Sequence, residues 1–281
     1  MAGRKFVLIG GAGLIGSHTL ERLLEQDVGE VVIYDNFSRG TIANLSTALL
    51  DSRVVLQEHG GDILHTDVLS AALAGADGVF HFAAMWLLHC EQFHKTAFEV
   101  NIQGTYNVLH ACARQSVKRI VFSSSASVYG ESDVLPIPES HRLESNSFYG
   151  ATKISCEALL RSFNSQFDLG YAALRYMNVF GPRQDYRGAY VAVIMKMLDS
   201  IDDDREITIF GNGSETYDFI SVLDCARANV LAMQSSMKAA TYNVGTGVGT
   251  SLLELAKMLK EITGSQVPVR FCKSTASSTV K

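Results

Sequence analysis

Continuous apolar runs alternate with helix-length segments along the first half of the chain. Phe6-Val7-Leu8-Ile9 predicts a buried strand, and Leu14 to Glu25, with Leu20, Leu23 and Leu24 on one face, predicts a helix. Val31 to Tyr34 and Val54 to Leu56 predict the second and third strands. Gly78 to Phe82 and Arg119 to Phe122 predict the fourth and fifth, and Tyr171 to Tyr176 the sixth. Helical stretches at Thr96 to Gln115 and Tyr149 to Phe167 follow the later strands. Strands that are apolar throughout are buried on both faces, so the pattern predicts an α/β fold with a doubly wound parallel sheet. From about Asn178 the pattern loosens into a helix at Ala192 to Ser200, a strand near Ile207 to Phe210 and a helix at Ser251 to Ile262. This predicts a main domain of residues 1–177, with residues 216–245 returning to it. Residues 178–215 and 246–281 are expected to form a smaller lobe over the carboxyl edge of the sheet.

Composition narrows the picture. With 281 residues, 47% of them hydrophobic and 19% charged, the chain is long and apolar enough to bury a sizeable core. A net charge of −5 supplies no broad cationic field, which argues against a nucleic-acid partner. No apolar run approaches the ~18–20 residues of a membrane span, and Met1 to Lys5 leads into a strand without a signal-peptide layout. The five cysteines are scattered and never spaced as C-x-x-C, a pattern expected of reduced thiols in the cytoplasm.

Gly10-Gly11-Ala12-Gly13-Leu14-Ile15-Gly16 follows the first strand and opens the first helix. Glycine there lets the backbone turn tightly and approach a pyrophosphate at the helix N-terminus. An isolated run of this kind also arises wherever a helix packs on a strand. Here Asp35 stands at the end of the second strand, about twenty residues on, where the dinucleotide fingerprint puts an acid that binds the adenine ribose. Alone, Asp35 reads equally as a turn residue; with the glycines it points to a Rossmann-type site, and its charge favours NAD over NADP. Asp62 follows the third strand and reads either as an adenine contact or as a helix cap.

Tyr149 and Lys153 lie four apart and so share one face of a helix. An ammonium near a phenol favours the phenolate and makes it a usable base. Ser123-Ser124-Ser125-Ala126-Ser127 follows the fifth strand at the edge where open α/β sheets bind ligands. Either motif alone is ordinary, as a solvated helix face or a polar loop. Together they point to proton transfer at a hydroxyl or carbonyl.

These motifs resemble those of the extended short-chain dehydrogenase/reductase family, in its NAD-dependent nucleotide-sugar epimerase/dehydratase branch. Further matches are Gly61-Asp62-Ile63, His81 to Ala84, Arg175 to Gln184, Phe210 to Gly213, Val222 to Asp224 and Tyr242 to Gly245. The resemblance implies that Ser125, Tyr149 and Lys153 are catalytic. It implies an NAD site made of Gly10, Gly13, Leu14, Ile15, Gly16, Asp35, Asn36, Asp62, Ile63, Phe82, Ala83, Ala84, Asn101, Ser123, Tyr149, Lys153 and Tyr176. Substrate contacts are expected at Trp86, Ser125, Ala126, Asn178, Arg183, Arg187 and Tyr217. Dehydratases of this branch carry acids just after the catalytic hydroxyl, whereas this chain has Ala126 and Ser127, as 4-epimerases do. The expected reaction is therefore 4-epimerisation of a nucleotide-diphosphate sugar, with a UDP-hexose favoured. A nucleotide-sugar dehydrogenase or reductase and a non-catalytic NAD-binding regulator of the same fold are the alternatives. Members of the family pair two long helices into a homodimer, which implies the same here.

The chain departs from the family pattern at several points. Ile9 stands where threonine is usual. Trp86 stands where 4-epimerases often place a lysine near the cofactor phosphates; it reads as core packing or as a wall of the sugar pocket. Tyr217 replaces an arginine usually aimed at the substrate diphosphate, a charge that Arg183 or Arg187 is expected to replace unless both are exposed loop residues. Members also continue beyond the position of Lys281, which implies a shortened substrate lobe. His18, His81, His89 and His94 form no metal pattern, and Asp202-Asp203-Asp204 reads as a solvated loop, so no metal is expected.

Overall fold

β1 (Lys5–Ile9) enters the glycine turn and α1 (Leu14–Leu24), and β2 (Glu30–Tyr34) and β3 (Val54–Leu56) extend the sheet to one side. The computed structural model describes residues 1–57, 60–184 and 193–273. α2 (Thr66–Ala72) leads to β4 (Gly78–His81); α3 (Leu87–Gln92), α4 (His94–Ala97) and α5 (Gly104–Arg114) lead to β5 (Arg119–Ser125). α6 (Phe148–Phe167) precedes β6 (Gly170–Tyr176) and the short β7 (Asn178–Phe180). Beyond the undescribed stretch come α7 (Val193–Asp202), β8 (Ile207–Phe210), β9 (Thr216–Tyr217), β10 (Phe219–Ser221) and α8 (Val222–Gln234). β11 (Ala239–Val244), β12 (Thr250–Ser251), α9 (Leu252–Thr263) and β13 (Val269–Cys272) complete the order.

Among the described residues, seven strands form one sheet in the order β11-β6-β5-β4-β1-β2-β3, with every pairing parallel. Side chains alternate across each strand. Phe6 and Leu8 of β1 therefore join a core with Leu20 and Leu23 of α1 and Val230 and Met233 of α8. Val7 and Ile9 join the opposite core with Leu69 of α2, Val108 of α5 and Leu160 of α6. The sheet is thus covered on both faces, as its continuous apolar strands demand, and the fold is Rossmann-type α/β. Strand order reverses between β1 and β4, which opens a crevice at their carboxyl ends. A third, smaller core joins Ile194 and Met197 of α7, Ile207 and Ile209 of β8 and Leu255 of α9.

The helix expected over Thr96 to Gln115 is interrupted. A π-helical turn, Phe98–Gln103, separates α4 from α5. Its wider winding turns Asn101 inward, where a regular helix would carry it round with its neighbours. β11 has little apolar periodicity because it lies on the edge of the sheet and is half exposed.

Candidate active site

The glycine turn is built for close approach. A Cβ on Gly10 would lie 2.6 Å from the Ala83 nitrogen, and one on Gly16 would lie 2.3 Å from the Gly10 carbonyl oxygen. These two glycines are demanded by packing. Gly13 differs: a Cβ there would meet only the Gly10 oxygen, at 3.4 Å, so this backbone faces open space. Gly13 also caps α1 without any side-chain hydrogen bond, and the first turn of the helix holds no acid. Free backbone N–H groups at a helix start form an anion site, and the residues present fit a dinucleotide diphosphate.

Asp35 is buried beside this turn. One carboxylate oxygen accepts the Ala12 N–H at 2.8 Å and the other accepts the Phe37 N–H at 2.8 Å. Burial pushes its pKa up, while these two N–H donors pull it down. Asp62 accepts the Leu64 N–H at 2.9 Å as a turn cap, and its carbonyl accepts the Tyr34 hydroxyl at 2.7 Å. A Cβ on Gly61 would lie 2.1 Å from the Asp35 nitrogen, so the loop after β3 packs directly on Asp35.

Ser147 caps α6 by accepting the Gly150 N–H at 3.0 Å. Gly150 lies so close to the turn after β5 that a Cβ would stand 2.4 Å from the Ser127 carbonyl oxygen. This contact seats Tyr149 beside Ser125, whose hydroxyl caps that turn by accepting the Ser127 N–H at 3.1 Å. Lys153 is buried one helical turn on. Its ammonium donates to the Ser123 carbonyl at 2.8 Å and lies 5.6 Å from the centre of the Tyr149 ring.

Burial pushes the Tyr149 phenol above its ordinary 10, with the Ser125 hydroxyl pulling the other way. Burial likewise lowers the Lys153 ammonium. Desolvation sets the direction of the phenol shift, and the Lys153 ammonium is held by the Ser123 carbonyl.

Asn101 acts as a hub. Its carbonyl oxygen accepts the Met85 N–H at 2.6 Å, and its amide donates to the Met85 carbonyl at 3.0 Å and to Thr152 Oγ1 at 3.1 Å. It thereby ties the loop after β4 to the turn of α6 between Tyr149 and Lys153. Ala83 and Phe82 back the glycine turn, and Ile63 packs against Gly104. Tyr176 pairs in register with Ser125 across β5 and β6, and its ring is buried on the α1–α8 face, where the hydroxyl donates to Asn229 Oδ1 at 2.8 Å.

The expected substrate residues are more dispersed. Trp86 stacks under Arg39, whose guanidinium carbon is 4.7 Å from the ring centre. Arg183 forms an ion pair with Glu21 of α1, beside the contact of His18 with the Pro182 carbonyl at 3.0 Å. Asn178 is exposed on β7, and Tyr217 is half-buried on β9 with its ring 5.9 Å from that of Phe219. Ala126 begins the turn capped by Ser125, Asn36 is exposed after β2, and Arg187 lies outside the described residues.

Sequence reading missed a buried network behind α6. Glu157, one turn beyond Lys153, accepts Arg175 Nε at 2.9 Å, Arg175 Nη2 at 2.6 Å and the Ser124 hydroxyl at 2.6 Å. The continuation of the Tyr-Lys spacing by another four residues was its one visible signal.

Comparison with known proteins identifies the family. The family model described as "NAD dependent epimerase/dehydratase family" matches residues 6–245. The UDP-glucose 4-epimerase of Corynebacterium glutamicum is 35% identical over 280 residues, covering 94% of this chain and 82% of the relative. A UDP-N-acetylglucosamine 4-epimerase from Methanobrevibacter ruminantium, solved with UDP-N-acetylmuramic acid, superposes with a TM-score of 0.92 at 34% identity, covering 98% of this chain and 87% of that one. The UDP-glucuronic acid 4-epimerase of Bacillus cereus, solved with its UDP-sugar and NAD, gives 0.86 at 31% identity, covering 96% and 86%.

Proposed function

Because the chain belongs to the NAD dependent epimerase/dehydratase family, we propose that it is an NAD-dependent nucleotide-sugar 4-epimerase, acting on a UDP-hexose through Ser125, Tyr149 and Lys153. What supports this most is the contact of Gly150 with the Ser127 carbonyl, which sets the phenol of α6 against the serine turn at the open edge of the sheet. NAD, when bound, supplies the two-electron acceptor for reversible oxidation of the sugar at C4. Tyr149 takes the proton from the 4-hydroxyl and later returns it, Ser125 holds the same oxygen, and Lys153 supplies positive charge. Ala126 and Ser127 give no extra acid for elimination, so the reaction ends as inversion at C4 with no net redox change. Asn178, Tyr217 and Arg183 are assigned to the substrate side, together with the lobe of α7, α9, β8 and β13.

No helix among the described residues is long and apolar enough to cross a membrane. The five cysteines are all free, which supports a reducing compartment, the cytoplasm. The exposed Tyr106 on α5 packs against Phe163 of α6, whose ring is 5.2 Å from that of the exposed Phe167. This aromatic face supports a homodimer paired through α5 and α6, which a light-scattering mass of one chain would refute.

The test is Tyr149→Phe. It should retain NAD and lose ~10²- to 10⁴-fold in interconversion of UDP-glucose and UDP-galactose; unchanged turnover would end the assignment.

A further inference from the structure

Three segments meet at the glycine turn. A Cβ on Gly40, in the loop after β2, would lie 2.7 Å from the Ala12 Cβ, and Ala83, in the loop after β4, lies against Gly10. The two loops therefore flank the turn on opposite sides. Arg39 precedes Gly40, and Trp86 follows Ala83 by three residues. The contact of the Arg39 guanidinium with the indole face, at 4.7 Å, joins one loop to the other across the crevice. Among the described residues of these segments (10–17, 35–41 and 82–88), Arg39 carries the one basic side chain, while Asp35 adds a buried carboxylate. A diphosphate seated on the open backbone of Gly13 thus meets one basic side chain in these segments.

We propose that Arg39 and Trp86 form a clasp over the dinucleotide cleft, in which the indole holds the guanidinium in place to bind the cofactor diphosphate and slow its release. A guanidinium lying flat on an aromatic face loses little freedom when it then takes a phosphate oxygen, since its planar fork is already oriented. The proposal deepens the reading that the glycine turn holds NAD, and rests on it. Trp86 is the sole tryptophan of the chain, so the clasp carries its own fluorescent reporter.

The experiment measures NAD dissociation constants and release rates by calorimetry and stopped flow for the wild type, Arg39→Gln, Arg39→Lys, Trp86→Leu and the Arg39→Gln/Trp86→Leu double variant. Added NAD is expected to change Trp86 emission in the wild type. Arg39→Gln and Trp86→Leu are each expected to weaken NAD by roughly 3- to 30-fold. Arg39→Lys should fall between, because it keeps the charge without the flat stack. The double variant should be no weaker than the worse single one, because the two residues act as a unit. Unfolding midpoints of the NAD-free proteins should stay together, which a mere brace between loops would not give. Unchanged NAD binding in either single variant, additive losses, or Trp86 emission indifferent to saturating NAD would overturn the clasp while leaving NAD binding intact. A wild type that binds no NAD at all would overturn the underlying reading as well.

Discussion

The Lys153 ammonium donates to the Ser123 carbonyl at 2.8 Å while standing 5.6 Å from the centre of the Tyr149 ring. The lysine is thus anchored to the end of β5, and its charge reaches the phenol from a fixed position. Burial, aided by the neighbouring Cys90 and Cys156, holds that phenol above its ordinary 10. A base with a raised pKa gains activity as the pH rises, so kcat/KM should climb from neutral into alkaline solution. Lys153→Met should move that rising limb further alkaline. A pH–rate profile in both proteins checks this, and an unmoved limb would remove Lys153 from the charge balance.

We propose that Asp35 carries the cofactor preference. Its carboxylate holds the Ala12 and Phe37 N–H groups and sits beside the glycine turn. Asp35→Asn removes the negative charge that repels a 2′-phosphate. The ratio of NADP to NAD dissociation constants should fall by about tenfold or more, equal to ~1.4 kcal/mol. Titration of both dinucleotides against the two proteins measures it.

His81 makes the fold sensitive to acid. It is buried behind the site, with one ring nitrogen on Thr105 Oγ1 at 3.0 Å, and burial together with the Lys153 charge drops its pKa to about 3. In the unfolded chain it protonates near 6.5, so below that pH the unfolded state binds more protons than the folded one. Stability from His81 is therefore complete above pH 6.5 and is lost as the pH falls, at most ~1.4 kcal/mol per pH unit. His81→Asn should flatten urea-midpoint curves between pH 6.5 and 5, as compared with the wild type.

The pair of Glu157 and Arg175 has no solvent to fall back on. Glu157→Leu strands a buried guanidinium and should cost about 3–5 kcal/mol in chemical denaturation. Adding Arg175→Met should restore part of that loss, since the double change leaves no unpaired charge. A double variant as unstable as Glu157→Leu would contradict the account.

The parts of the site that were legible in the sequence are those whose spacing is set by local chemistry. Glycines that no Cβ can replace, an acid closing the second strand, and a phenol and ammonium one helical turn apart all declare themselves along a single element. The remainder depends on residues distant in the chain. Asn101 acts through a π-helical turn that breaks a seemingly regular helix, and its partners Met85 and Thr152 come from two other segments. Tyr176 lies in a motif shared with the family, yet its strand turns the ring toward α8, on the opposite face from α6. The alternation of a β-strand decides that side, and the strand's uniform burial hides the alternation from any hydrophobic pattern. Arg39 and Trp86 belong to separate loops, so their stacking was invisible until the sheet brought those loops together.

The most direct measurement of the central claim is proton NMR of the purified protein with UDP-glucose and a catalytic amount of NAD, recorded beside the near-ultraviolet absorbance of reduced nicotinamide. The account predicts UDP-galactose accumulating to an equilibrium mixture over many turnovers, with no build-up of reduced cofactor. Reduced nicotinamide accumulating in step with a keto or acid product would contradict it.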